Sequence, residues 1–470
     1  MKVNWKTAYN LEAQVAGIVA QQEINGWKFD RGKGEQFVGD LSSLMSDLEE
    51  EALPSMRKIL SLPYGAPMNK PFLKSGGYSK GCRDWYERLL SPELITEVGG
   101  PFTRVEWNNV NLGSDKQVKE VLLELGWVPT EWNYKKKANG RKEYDVRGSP
   151  IRSSPKLTED SYGSIPSGVG PLIAKYLQAK HRRSSIEGWL RNMDKDTGLI
   201  HAYANPLGTP TGRFTHSVVV NVPKPKDYVF FGKEMRSLFT CREGNQLVGH
   251  DFSGLEARVM AHYLDDPELT AKLIFGSSSD GTDFHSYFWE PLKDFISSRD
   301  NAKNLEYAFI FGAMDPKLGN MADMKPSGWS DEKTGKAMRE IISKSIPALG
   351  DLTAGVQAAA KKRGYIIGLD GRKVFIRSQH SALNYLFQSG GAVLFKTSLC
   401  ILDDLIKDHG IGSLLVGNFH DECQFDVPLG DIEVHKDLAV RSCVEAGEVY
   451  DLNCPMDAEA QAGNNWAETH

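Results

Sequence analysis

Two short apolar stretches that each run into a carboxylate constrain this chain more than anything else in it. Gln246-Leu-Val-Gly-His-Asp251 reads as a buried strand with Asp251 at its end. Leu414 to His420 and Cys423 to Val427 read as two more strands around a tight turn, His420-Asp421-Glu422. If these strands are neighbours, Asp251 and Asp421 converge, and the long stretch between them must be inserted into the lobe that holds them both. Helical periodicity at Leu255–Leu264, and a mostly helical stretch at Ser381–Asp404, complete an α+β lobe with its chemistry at strand ends.

Two carboxylates at converging strand ends form a hard-oxygen site suited to magnesium. Two such ions about 3.5–4 Å apart can clamp the attacking and leaving oxygens of a phosphoryl transfer. Either acid alone would read as a turn former or a helix cap. A further constellation is Arg299, Lys303, Tyr307 and Phe311, in a helical stretch that Gly312 ends. The four recur every four residues and so lie on one stripe that drifts by ~40° per step. The cations suit phosphates and the aromatic rings suit bases. An ordinary amphipathic helix with its aromatics in the core has no need of two cations at its start.

The chain has 470 residues, which calls for two or three lobes. With 40% hydrophobic and 25% charged residues it is globular, which excludes a disordered or fibrous chain. No apolar run approaches the ~20 residues of a membrane span. The start, Met1-Lys2-Val3-Asn4-Trp5, has no apolar signal core. A cytoplasmic setting without a membrane partner is expected, in the host cell if the chain is viral. The six scattered cysteines then read as reduced and structural. The net charge of -5 argues against a polyanion partner, but Tyr134 to Arg183 holds twelve basic residues against four acids. That stretch suits a phosphate backbone, and equally a solvated loop.

Upstream, Leu11–Gln22 has helical spacing and Gly26 follows as a stop. Trp27–Phe29 reads as an apolar link, and Asp30 as the cap of a second helix that runs through Asp47–Glu51. Residues from about Leu62 to Gly100 read as an irregular insertion. Lys116–Leu125 and Leu172–Arg183 read as helices, and Lys135–Gly170 as a basic loop.

The motifs that carry these residues resemble those of family A (Pol I-type) DNA polymerases. Asp251-Phe-Ser-Gly-Leu-Glu256 resembles motif A, Arg299 through Gly312 the fingers helix of motif B, and Phe419-His420-Asp421-Glu422 motif C. Thr211-Gly212-Arg213, Asp283-Phe284-His285, Gly368 to Val374, Asn384 to Gly390 and the ending from Asn465-Trp466-Ala467 are most similar to the T-seven-type phage replicases. The resemblance implies a right-hand fold of thumb, palm and helical fingers. It assigns residues 1–185 to a thumb with an insertion near 62–105, 186–266 and 379–470 to the two parts of the palm, and 267–378 to the fingers.

It also implies roles. Asp251 and Asp421, with the Phe252 carbonyl, would hold two Mg2+ ions, and Glu422 would stand beside them. Glu256 would be the gate that rejects a ribose 2′-hydroxyl. Arg299, Lys303 and His285 would hold the triphosphate of a deoxynucleotide, with Tyr307 near its sugar. Arg213, Asn384, Gln388, His420 and Phe311 would contact primer–template DNA, mostly through minor-groove acceptors that report pairing and not sequence.

The chain departs from the pattern in three places. Phe311 stands where a second tyrosine is usual, and Ala308 follows Tyr307 in place of glycine. The thumb-like helix begins by residue 11, so no intrinsic 3′–5′ exonuclease is expected. Asp47-Leu48-Glu49 then reads as a solvated face, and excision would fall to a separate exonuclease beside a helicase-primase. The insertion is shorter than the thioredoxin-binding loop of the phage enzyme and unlike it in sequence, which argues against thioredoxin as a partner. Two other readings are a single-subunit RNA polymerase, which Glu256 opposes, and an inactive DNA-binding homologue, which the intact acids oppose.

Overall fold

The computed structural model describes residues 5–61, 68–88, 100–103, 106–146, 148–310 and 312–469. The chain separates into two compact units, one of residues 35–187 and one of residues 1–34 with 188–470.

The larger unit is built on a four-stranded antiparallel sheet. Its central pair is Asn245–Phe252 beside Glu422–Pro428; Leu414–Phe419 and Ala458–Gly463 form the edges. Leu247 and Val248 are fully buried, because helices cover the sheet and leave no wet face at its centre. The register places Asp251 directly opposite Glu422 and, on its other side, opposite Glu459. Asp421 occupies the turn between the two C-terminal strands, and its carbonyl accepts from the Phe252 N–H at 3.4 Å. The two acids therefore converge as their strand-end positions require.

Three residues at Trp27–Phe29, read from sequence as a link, form a strand instead. They pair with Leu199–Ile200 and Phe239–Thr240. Three residues are too few to display an alternating pattern, so only their distant partners reveal the strand. Trp27 packs on Phe239 and Trp466 at 4.8 and 5.1 Å between ring centres, and Trp466 stacks on Phe419 at 4.7 Å. This aromatic cluster braces the strand that leads into Asp421. Gly417 in that strand is required by close approach, since a Cβ there would lie 2.7 Å from the Trp27 ring.

The helix Ala382–His409 runs through the core. It is long and apolar enough to cross a bilayer, but 83% of its apolar window is buried inside the protein. A Cβ at Gly390 would lie 2.7 Å from Val259, so the glycine lets the Leu255–Leu264 helix pack closely there. That packing fixes the helix that carries Glu256. Between the two acidic strands lie the helices Pro267–Phe275, Phe284–Trp289, Arg299–Ile310, Asp315–Asn320, Asp331–Ser345 and Pro347–Arg363.

Asp30, in the larger unit, caps the Arg31–Ala52 helix by accepting from the Lys33 N–H at 3.0 Å, as its position suggested. Helices Asp115–Glu124 and Gly170–Asn192 bury Val118, Val121, Leu122, Ile173 and Tyr176. The expected irregular insertion holds a helix, Lys80–Arg88, and residues 62–67 and 89–99 lie outside those described. The basic segment expected as a loop from Lys135 is largely a β-ladder. Trp132–Tyr134 pairs with Arg152–Pro155, and bridges at Lys136–Lys142 and Tyr144–Pro150 extend it. Lys135, Lys136, Lys137, Arg141, Lys142 and Arg152 are all exposed on it. Lys142 lies 4.2 Å over the Tyr134 ring and Arg152 4.9 Å over Trp132. The aromatic faces hold these cations by cation–π attraction, which a reading based on turn residues overlooks.

Candidate active site

The strand ends open into two adjoining cavities of about 530 and 420 Å3, both lined by Asp251, Phe252, Gly254 and Tyr307. The larger also touches Arg213, Glu256, His420, Asp421 and Glu422, and the smaller touches His285. Nine of the residues singled out in the sequence thus meet around one space.

Its electrostatics are dominated by carboxylates that lack enough positive charge. Burial raises Asp251 to about 6, with Glu422 adding to the effect. Burial also raises Asp421 well above the ordinary carboxylate range, reinforced by the charges of Asp251 and Glu256. Asp251 Oδ1 is buried without a hydrogen-bond partner among the described residues. Glu422, by contrast, is held by the protein: it accepts from Gln424 Nε2 at 2.7 Å and from the Trp466 indole, and Arg236 lies 3.7 Å away. An unpartnered carboxylate oxygen, beside a second acid whose charge is suppressed, is the arrangement a hard divalent cation would relieve.

Glu256 lies in the first turn of its helix and forms an ion pair with Arg213. Arg213 sits on the Thr209–Arg213 turn, whose Thr209 hydroxyl accepts from the Arg213 N–H at 2.9 Å. His420 takes a left-handed backbone at φ 55°, which turns the chain sharply into Asp421. Tyr307 is half-buried, and that burial pushes its hydroxyl up to about 12, so it stays protonated.

Other expected residues stand apart from these two cavities. Arg299 and Lys303 share the half-buried stripe of Arg299–Ile310, two turns and one turn before Tyr307. Arg299 is ion-paired to Asp283, donating from Nε at 3.1 Å and from a second nitrogen. Gln388 accepts from the Thr211 hydroxyl at 3.4 Å, and Asn384 packs beside Gly312. Phe311 lies outside the described residues.

The sequence reading missed Lys224, Arg236 and Trp466 as site residues, and all three line the larger cavity. Arg236 is buried, and its guanidinium lies 4.2 Å over the Trp466 ring. No local pattern marks Arg236; only its long-range partners do. Trp466 lies in the Asn465-Trp466-Ala467 ending, for which the resemblance implied no site role.

The model for DNA polymerase family A matches residues 96–468. The DNA-directed DNA polymerase of Escherichia phage T7 is 29% identical over 98% of this chain and 70% of its own length. That of Escherichia phage Phieco32 is 26% identical over 98% of each. The polymerase domain of Pol1 from M. smegmatis, solved with DNA primer-template and dNTP, shares the fold with a TM-score of 0.69 at 20% identity, over 97% of this chain and 70% of that one. The family match spans most of the chain and includes both acidic strands, and the chain belongs to DNA polymerase family A, as a DNA-directed DNA polymerase.

Proposed function

We propose that this polymerase extends a primer 3′ end along a DNA template, adding deoxynucleotides by phosphoryl transfer at the Asp251–Asp421 site during copying of a phage genome. The observation that carries the reading is the convergence of those two charge-suppressed acids in a cavity also lined by Glu256, Tyr307 and His420. The similarity to phage polymerases supports the replicative setting.

Among the described residues no three His, Cys, Asp or Glu side chains form a complete metal cage. Two carboxylates that leave the remaining positions to main chain, water and substrate phosphates are what Mg2+ uses in phosphoryl-transfer sites. Two Mg2+ ions bound by Asp251, Asp421 and the Phe252 carbonyl would lower the charge that develops on the transferred phosphoryl group. Arg236 behind Glu422 balances part of the negative charge at the strand ends. Lys303, Arg299 and His285 would take the triphosphate. Arg299 must then share its charge with Asp283 or leave it. Arg213, Asn384, Gln388 and His420 would follow the primer–template minor groove, with Phe311 near the template base. The basic ladder from Trp132 to Pro155 suits the phosphate backbone.

Glu256 would stand under the sugar and exclude a 2′-hydroxyl. Glu256→Ala is expected to raise ribonucleotide incorporation about a hundredfold relative to deoxynucleotides, because a gate that acts by clash and buried charge discriminates more strongly than an apolar wall. Competitive primer extension measures the ratio. A wild type that prefers ribonucleotides would favour the RNA polymerase reading, and an unchanged ratio in the variant would remove the gate assignment.

We also propose that proofreading is not a property of the described residues. Asp47 lies exposed on its helix, whereas Glu49 is half-buried and hydrogen-bonds Tyr176, so the two acids of this Asp-x-Glu do not share one open site. Excision would come from a separate exonuclease, with a helicase-primase as a further partner, and thioredoxin is not proposed. Release of nucleotides from a mismatched 3′ end by the pure protein would overturn this.

A further inference from the structure

One acid sits on the wrong face of the Arg299–Ile310 helix. Glu306 is fully buried, on the face otherwise formed by Ala302, Leu305 and Phe309. A buried carboxylate is costly unless it is paired. Glu306 Oε2 lies 2.8 Å from Nδ1 of His285, and Oε1 has no hydrogen-bond partner among the described residues. His285 stands on the neighbouring Phe284–Trp289 helix and lines the smaller cavity with Asp251 and Tyr307. Because the two ring nitrogens diverge, a ring held at Nδ1 leaves Nε2 as the nitrogen available to that cavity.

We propose that Glu306 is a positioning residue for the incoming nucleotide: it fixes the His285 imidazole through Nδ1, so that Nε2 carries its proton toward the nucleotide's phosphates. The inference rests on reading this cavity as the nucleotide site. Whether the shared proton sits on Oε2 or on Nδ1, the once-protonated pair presents Nε2–H. Loss of that proton leaves Nδ1–H donating to Glu306 and turns the Nε2 lone pair toward the phosphates, where it repels them. Burial pushes Glu306 up and so favours the protonated pair; His285 and Lys303 oppose that push, and Asp283 adds to it. Arg299 is engaged with Asp283, and Tyr307 faces His285 with 6.1 Å between ring centres. A carboxylate that holds an imidazole in this way acts as a supporting group does for a metal-bound histidine.

The test is steady-state primer extension against pH, beside side-chain nitrogen NMR of the nucleotide-free protein with His285 identified by its loss in His285→Asn. In the wild type, KM for the deoxynucleotide rises toward alkaline pH. Glu306→Leu is expected to raise KM about tenfold at neutral pH with kcat within about twofold, and its rise in KM begins at lower pH. Glu306→Gln can donate an amide N–H to Nδ1 and keep Nε2–H, so its KM stays within about threefold of the wild type and flat with pH. The NMR titration of His285 moves to lower pH in Glu306→Leu. An unchanged His285 titration in that variant would overturn the pairing by itself. Wild-type KM and pH profile in both variants, or loss of kcat at unchanged KM, would also overturn it. A wild type that extends no primer would overturn the nucleotide reading of the cavity, while the NMR would still decide the pairing.

Discussion

Asp421→Asn is expected to stabilise the metal-free protein while reducing primer extension by about a thousandfold or more, beyond the cost of one lost transition-state hydrogen bond. Both effects have one origin. Asp421 is buried beside Asp251 and Glu256, and it gains its function by holding negative charge where the protein alone does not balance it. Asp251 has a folded value of about 6, above its ordinary one of about 4. A group raised in this way contributes stability that is fully present below its unfolded value and is lost as pH rises through its folded value. For Asp251 that window runs from about pH 4 to 6, and the loss is on the order of 3 kcal/mol. Asp421, raised by the same burial, adds to the loss at higher pH. Asparagine has no charge to bury, so the loss that Asp421 adds at higher pH disappears in the variant while the Asp251 window, set by burial and Glu422, remains. Mg2+ binds the folded state through both acids, so it should raise the melting temperature of the wild type at neutral pH, much less at acid pH, and not at all in Asp421→Asn. Melting curves over pH, with and without Mg2+, decide this. An unchanged slope above about pH 6 in the variant would mean that Asp421 does not carry the buried charge assigned to it.

Glu12→Leu is expected to cost about 3–5 kcal/mol of stability, the price of stranding a buried charge. Lys396 is fully buried in the long core helix and donates to both Glu12 oxygens at 2.7 Å and to the Pro206 carbonyl at 2.8 Å. Arg372 donates to the same Glu12 at 2.6 Å and is clamped from behind by Asp370, with Nε at 3.0 and 2.8 Å from its two oxygens. Without Glu12, an ammonium and a guanidinium face each other in the core with only Asp370 and a carbonyl to balance them. The double variant Glu12→Leu with Lys396→Met should recover most of the loss, because removing both charges of a buried pair is far cheaper than removing one. Urea unfolding measures both variants. A single variant within about 1 kcal/mol of the wild type would show that Arg372 and Lys396 are already neutralised by other groups.

Whether a feature could be read from the sequence depended on how local its cause is. The strand ending at Asp251, the turn at Asp421 and the Arg299-to-Tyr307 stripe are set by neighbours a few residues away, and their positions followed from spacing. The motif order also required the helices between the two acids to be an insertion. Features set by distant partners were not legible. Trp27–Phe29 is a strand only because Leu199–Ile200 and Phe239–Thr240 flank it. Arg236 joins the site through Trp466 and Glu422. The Glu12–Lys396 pair spans 384 residues. The basic ladder was misread because its short strands are exposed and carry no apolar alternation, so that its ordering rests on cation–π contacts and cross-strand hydrogen bonds. Glu306 did carry a signal: an acid on the apolar face of a helix needs a partner, and His285 lies within the Asp283-Phe284-His285 motif.

The central claim is that Asp251 and Asp421 together hold the cations for nucleotide addition. Its most direct test is single-nucleotide primer extension with Mg2+ titrated, for the wild type and Asp251→Ala, alongside primer–template binding. Deoxynucleotide addition is expected to saturate with Mg2+ in the wild type and to be absent in Asp251→Ala at any Mg2+ concentration, with DNA affinity retained. Extension by Asp251→Ala at a rate near that of the wild type would contradict it.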